Sequence, residues 1–326
     1  MSTAVRWGIA ATGGIARAFA QGLASVGDAE LVAVASRTEE RAREFADDVG
    51  APRAHGSYES LSADPGVDAV YVASPHARHC TDSVLFLDAG KHVLCEKPLA
   101  LSAAQVRQMT AAAQRSGCFL MEALWSRFLP AYQVLTQLID DGTIGDVRLV
   151  EADFGFRMPF DGAHRLFDPA QGGGALLDLG IYPLHLAFLV LGHPVEVHGV
   201  AELGATGVDE QVAAVLRHDG DTLSVVKAAV STTLSCTARV AGSAGHIDVP
   251  AFMHCPDHLI VNTGEGPRRI DAPLEGNGLH YQVHEVHHCI RAGLTESPVM
   301  PWSESLALAT TMDQIRAQIG VRYPGE

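Results

Sequence analysis

The sequence predicts an α/β protein in two parts: an N-terminal doubly wound parallel sheet, then a C-terminal α+β domain built on a large open, mostly antiparallel sheet. Three observations predict it. The first half alternates short, almost wholly apolar runs with helix-period segments, as strands covered by helices on both faces should. The second half switches to runs in which apolar and polar residues alternate, the pattern of a sheet with one buried face. Finally, 326 residues with 47% hydrophobic and only 19% charged side chains can fill a large core, and that length suits two domains.

The expected strands of the first half are Val5–Ala10, Glu30–Ala35, Ala69–Ala73, His92–Cys95 and Cys118–Met121. Helices are expected between them near Ile15–Val26, Glu39–Val49, His79–Asp88 and Ala103–Ser116, the last opened by Ser102 with Gln105 three residues on, the spacing of a capping box. The boundary falls near residues 121–125, giving domains of 1–122 and 123–326. Beyond it come a helix near Pro130–Asp140 and strands at Val147–Phe156, Val195–Leu203, Gln211–Arg217, Leu223–Ser231, Leu234–Ala241 and His246–Val249. His218-Asp219-Gly220-Asp221 reads as a hairpin turn. Helices near Leu279–Ala292 and Glu304–Ile319 close the chain, and there is no internal repeat.

Composition removes several function classes. The formal charge is −15, so a nucleic-acid or anionic-membrane partner is not expected. The longest apolar stretch, Ile181 to Leu191, falls short of the ~20 residues of a membrane span, and no secretory signal is visible. Six scattered cysteines without a C-x-x-C pair point to reduced thiols and a cytoplasmic location.

Strand Val5–Ala10 runs into Ala11-Thr12-Gly13-Gly14-Ile15-Ala16 and then a helix. Such a turn lets backbone N–H groups approach a pyrophosphate at a helix N-terminus, as in the Rossmann dinucleotide fold. The G-x-G-x-x-G form is partly met, with Ala11 at the first glycine and Ala16 at the third. A tight turn without a ligand is the plainer alternative. The second strand ends in Ser36-Arg37-Thr38, where an NAD site would usually carry Asp or Glu for the ribose hydroxyl. Ser36, Arg37 and Arg41 suit a 2′-phosphate, so NADP is expected over NAD.

Residues 89–98, A-G-K-H-V-L-C-E-K-P, resemble the A-G-K-H-V-x-x-E-K-P signature of the Gfo/Idh/MocA oxidoreductases. Three other stretches agree: Arg6-Trp7-Gly8-Ile9, Ala73-Ser74-Pro75-His76 with His79, and Gly172-Gly173-Gly174 leading to Asp178-Leu-Gly-Ile-Tyr182. Glu122 to Pro130 and Tyr182 resemble the dihydrodiol and NADP-linked xylose dehydrogenase branch; many other members carry His where this chain has Tyr182. The resemblance implies a nicotinamide-dependent dehydrogenase, a cofactor set that adds Ser74, Pro75, His76, His79, Glu96, Lys97, Trp125 and Arg127, and a Lys97 side chain near the nicotinamide ribose and the reacting oxygen.

The residues support that expectation on their own. Lys97 follows a buried strand, and ligands of open parallel sheets bind beyond strand C-termini; Pro98 fixes the chain there and suits a cis peptide. Asp178, Tyr182 and His185 are spaced to share one face of a helix that is otherwise apolar, and Pro183 is expected to bend it. Three hydrogen-bonded core residues are the plainer reading, above all for His185. The expected chemistry is hydride transfer between a secondary alcohol carbon and the nicotinamide, with Tyr182 as acid/base, Lys97 as the cation a phenol of pKa ~10 needs, and Asp178 orienting a sugar or diol hydroxyl. Trp125, Phe154 and His185 complete the expected substrate set, and no metal is required.

Two other readings remain open. His284-Glu285-Val286-His287-His288 formally matches the H-E-x-x-H zinc motif of a hydrolase, though a third ligand is not evident nearby. A non-catalytic NADP(H)-binding sensor would use the same glycine turn but has no need of Lys97 or Tyr182. The expected partners are a small neutral polyol, sugar or cyclic diol and a second copy of the chain, as a homodimer or a tetramer through the C-terminal sheet.

Overall fold

The computed structural model describes residues 4–324, and the chain forms two compact units. The first comprises the chain through Trp125 together with Glu275–Leu306; the second comprises Ser126–Leu274 and the chain from Ala307 onward.

The first unit holds a six-stranded sheet in the order β3-β2-β1-β4-β5-β6, parallel throughout. Its strands are β1 (Val5–Ala10), β2 (Ala29–Ala35), β3 (Ala54–His55), β4 (Ala69–Val72), β5 (His92–Glu96) and β6 (Leu120–Ala123). The helices are α1 (Gly14–Leu23), α2 (Glu39–Val49), α3 (Tyr58–Ser62), α4 (His79–Asp88) and α5 (Ala103–Ser116). Strand order reverses between β1 and β4, the switch point beyond whose C-terminal ends such sheets bind ligands. Short β3 and α3 carry too few residues to show a period, and neither is expected from sequence. Strand β6 starts at 120 rather than 118 because the Cys118 N–H still bonds to Ala113 O at the end of α5. The Ser102 cap is half of the expected box: its Oγ accepts from Gln105 N at 3.4 Å, while the Gln105 amide oxygen accepts from Leu101 N.

Residues 275–306, assigned from sequence to the C-terminal half, return to this first unit. Helix α8 (His280–Arg291) brings His287, whose Nε2 accepts from the buried Trp7 indole N–H at 2.9 Å while Nδ1 lies 3.0 Å from Asp28. The Leu120 N–H bonds to Thr295 O, and Leu120 O accepts the Trp302 indole N–H, both at 2.9 Å.

The second unit is built on an eight-stranded sheet, β14-β13-β12-β11-β7-β10-β9-β8, antiparallel except for the β7/β10 pair. The strands are β7 (Val147–Gly155), β8 (Pro194–Leu203), β9 (Asp209–His218), β10 (Thr222–Ala229), β11 (Ala238–Gly242), β12 (Gly245–Val249), β13 (His258–Thr263) and β14 (Gly266–Asp271). The β9/β10 turn places Gly220 at φ +72° and Asp221 at φ +59°, as a tight hairpin requires. Strand β11 begins later than expected: Cys236 sits at φ +56° and gives its N–H to Asp153 Oδ1 at 2.7 Å, which interrupts the ladder between Leu234 and Thr237, each still backbone-bonded to β7. Helix α6 (Pro130–Asp140), a π-turn at Leu176–Gly180 and helix α7 (Ile181–Leu191) belong to this unit, and α9 (Trp302–Ile319) runs from one unit into the other. Residues 169–191 are apolar and long enough to span a bilayer by composition, but 83% of their most apolar window is buried inside the fold.

Candidate active site

In the first unit β1 delivers the chain to the glycine turn. Ala11 adopts φ +95°, the conformation for which the fingerprint normally supplies glycine, and its N–H bonds to Ala35 O. Gly13 is the N-cap of α1, with no side-chain cap and no acidic residue in the first turn. A Cβ on Gly13 or Gly14 would meet no atom within 4 Å, so the uncapped N–H groups of α1 open onto free space beside exposed Ile15. That arrangement fits a pyrophosphate. At the end of β2, Ser36 is buried and Arg37 and Arg41 are exposed; no carboxylate occupies the strand end. Glu39, the nearest acid, is paired with Arg43 one turn on.

The loop after β5 is held from behind. The Lys97–Pro98 peptide is cis. Glu96 turns inward to accept the Tyr71 hydroxyl proton and the Lys97 N–H. Glu122, fully buried on β6, accepts from Leu99 N at 2.8 Å, and burial pushes its carboxyl up to about 7. His79, expected at the cofactor, instead spans two loops: its ring nitrogens lie 2.8 Å from Ser74 O and from Pro98 O. Burial pushes its pKa down to about 3, so a neutral ring donates to one carbonyl at a time and offers no ring nitrogen to a ligand. His76 packs edge-on against it, and Pro75 opens the turn that leads into α4.

In the second unit Asp178 lies in the π-turn, buried, with both oxygens held by Arg165 at 2.9 and 3.2 Å. Tyr182, on the first turn of α7, packs edge-on against Phe154 at 5.5 Å and lies 5.1 Å from the His254 ring, which itself stacks on Phe154 at 4.4 Å. His185 does not line an open site. It is fully buried, its ring parallel to Tyr132 at 6.0 Å, with neither nitrogen hydrogen-bonded; burial, reinforced by the Arg127 charge, holds its pKa well below the usual range. Asp178 lies in a π-turn, whose winding is wider than that of the α-helix that carries Tyr182 and His185.

The decisive comparison covers most of the chain: residues 5–124 match the model of the oxidoreductase family with an NAD-binding Rossmann fold, and residues 132–248 match the GFO/IDH/MocA C-terminal domain. The chain belongs to the Gfo/Idh/MocA oxidoreductase family. It is therefore a nicotinamide-dependent dehydrogenase or reductase. Within the family it is 40% identical to the trans-1,2-dihydrobenzene-1,2-diol dehydrogenases of Mus musculus and Danio rerio, with 98% of each chain covered. Among solved structures it resembles a 3-ketoreductase from Actinomadura kijaniata, in complex with NADP and TDP-benzene (26% identity, TM-score 0.89, 97% and 98% coverage). It also resembles an aldose-aldose oxidoreductase from Caulobacter crescentus complexed with glycerol (26% identity, TM-score 0.88, 97% of each chain).

Four residues of this Gfo/Idh/MocA chain escape sequence reading. Arg165 had one available signal, since a carboxylate on an apolar helix must find a cation or donors. Glu122 and Asp209 carry a signal only once their burial is known, and His254 sits in an irregular loop with none. In the H-E-x-x-H stretch the two motif histidines, His284 and His288, are exposed on α8, Glu285 accepts the Ser297 hydroxyl at 2.5 Å, and His287 between them is buried against Trp7 and Asp28.

Proposed function

We propose that the protein is an NADP-dependent dehydrogenase that moves a hydride between the nicotinamide and a secondary alcohol or carbonyl of a cyclic diol, sugar or polyol. The observation that carries this reading is the 40% identity, over nearly the whole of both chains, to dehydrogenases named for a trans-dihydrodiol. NADP rather than NAD is supported by Ser36, Arg37 and Arg41 at the end of β2, where a 2′-phosphate needs cations and no carboxylate, and by the NADP-bound 3-ketoreductase.

When bound, the nicotinamide supplies the hydride acceptor or donor. This chain's own residues do the rest. Gly13, Gly14 and the first turn of α1 hold the pyrophosphate, and Arg37 with Arg41 holds the 2′-phosphate. Tyr182, buried in an aromatic setting of Phe154 and His254, exchanges the proton of the substrate oxygen. Lys97 supplies positive charge to the reaction, which a phenol needs to exchange protons near neutral pH. Asp178, oriented by Arg165, accepts a substrate hydroxyl. Trp125, beside the cofactor-binding unit's end, is assigned to the nicotinamide and substrate.

A homodimer through the eight-stranded sheet belongs to the same reading, supported by exposed Val200, Val215 and Leu223 on adjacent strands of one face. A cytoplasmic setting is supported by six free cysteines.

The test is turnover of trans-dihydrodiols, aldoses and inositols with NADP and with NAD, followed at the reduced-nicotinamide absorbance. NADP-linked oxidation of a diol or sugar is expected, at a higher kcat/KM than with NAD. Cofactor binding without turnover of any polyol would favour the sensor instead, and activity abolished by chelation would favour a metal enzyme.

A further inference from the structure

We propose that Asp209 is a positioning residue of the reaction, its buried carboxylate fixing the start of the π-turn that carries Asp178 and runs on into Tyr182. The proposal rests on the assignment of Asp178 and Tyr182 to substrate.

Asp209 is the first residue of β9 and is 0% exposed. Its Oδ2 accepts the Leu176 N–H at 2.6 Å, and the neighbouring Ala175 N–H also favours its charge. These are N–H groups that no carbonyl of the turn can satisfy, and a carboxylate is the strongest acceptor available to them.

The glycine triplet before the turn is shaped around this contact. Gly174 adopts φ +120°, and a Cβ there would come within 2.3 Å of Asp209 Oδ1. Gly173 has its own reason: a Cβ would strike Arg165 O at 2.7 Å, while its carbonyl accepts the Tyr323 hydroxyl at 2.6 Å. The Gly174 N–H bonds to Leu166 O at 2.9 Å. The segment that brings Arg165 to Asp178 is thus tied to the same triplet that seats Asp209.

The location is a costly one for an acid. Burial pushes the Asp209 carboxyl up to about 7, against the Leu176 N–H and the Arg316 charge that pull it down. An apolar side chain would fill the volume without that cost, but it would leave the π-turn's N–H groups without an acceptor. π-Turns are uncommon and concentrate at functional sites, so a dedicated anchor for one that carries a substrate-binding carboxylate belongs with the chemistry.

The experiment compares Asp209→Ala, Asp209→Asn and Tyr182→Phe in the full-length protein. It measures kcat and substrate KM with NADP and a trans-dihydrodiol or D-xylose, and NADPH Kd by fluorescence. Asp209→Ala should lower kcat/KM about 100-fold, the scale of a misplacement near 1 Å, with NADPH Kd within about 3-fold. Asp209→Asn, which keeps an acceptor for Leu176 N–H, should restore kcat/KM to within about 5-fold. Wild-type kcat/KM in Asp209→Ala, with Tyr182→Phe impaired, would overturn the positioning role and leave the proposed function standing. Wild-type kcat in Tyr182→Phe would overturn both. If Asp209→Ala does not fold, Asp209→Asn and Gly174→Ala decide: Gly174→Ala must lose turnover while NADPH binding survives, and equal loss of both readouts contradicts the proposal.

Discussion

Ala11 shows how a strand and a helix impose a conformation on the single residue between them. A side chain at φ +95° costs energy that glycine would not, yet the turn keeps its course because β1 and α1 fix both ends. Ala11→Gly should therefore stabilise the protein by about 1 kcal/mol, less the extra entropy of the unfolded chain, and raise Tm by about 2 °C with NADPH Kd unchanged. A lower Tm would mean the conformation carries no strain. Asp178 makes the complementary point. Its spacing from Tyr182 was legible, and so was its need for partners, but the partner was not: Arg165 lies thirteen positions away in a stretch without a period, and only the folded loop brings it to the carboxylate.

Elements with a strong period and a clear end were the legible ones. Helices α2, α4, α5 and α6 have the bounds expected of them, because Thr38 and Ser102 cap two of them, Gly50 and Gly117 stop those same two, and Pro130 opens a third. Strands β13 and β14 were not expected, being short, half-polar and crowded by Pro256, Gly264, Gly266 and Pro267. The π-turn could not be read either, since five residues of a wider winding leave no trace in a 3.6-residue period. Helix α8 was legible as a helix but not as part of the first unit, because its anchor is a set of side-chain contacts, His287 to Trp7 and Asp28 and Arg291 to Asp28, that leaves no trace in a period. That anchor should be pH-dependent. Burial lowers the His287 pKa in the folded state, with Asp28 opposing, so the folded chain prefers the neutral ring and the unfolded chain takes up the proton first. Its stabilisation is present above the unfolded pKa of about 6.5 and is lost as pH falls below it, by at most about 1.4 kcal/mol per pH unit. Thermal melts of wild type and His287→Gln between pH 8 and pH 5 check this. The variant should be less stable at pH 8 and show a flatter decline; parallel curves would remove His287 as the source.

Across the whole molecule the −15 charge acquires a local meaning. The chain has few cations, and several are committed: Arg165 to Asp178, and Arg43 to Glu39 beside the strand end that keeps Arg37 and Arg41 exposed. The proposed function draws on both units: the glycine turn and the E-K-P loop belong to the first, Asp178 and Tyr182 to the second. The central claim is that Lys97 acts in the hydride-transfer chemistry and not in holding the cofactor. The most direct test is kcat of Lys97→Ala with NADP and a trans-dihydrodiol or D-xylose, set against its NADPH Kd. The account predicts a fall in kcat of about 100-fold or more with Kd within about 3-fold; an unchanged kcat would contradict it.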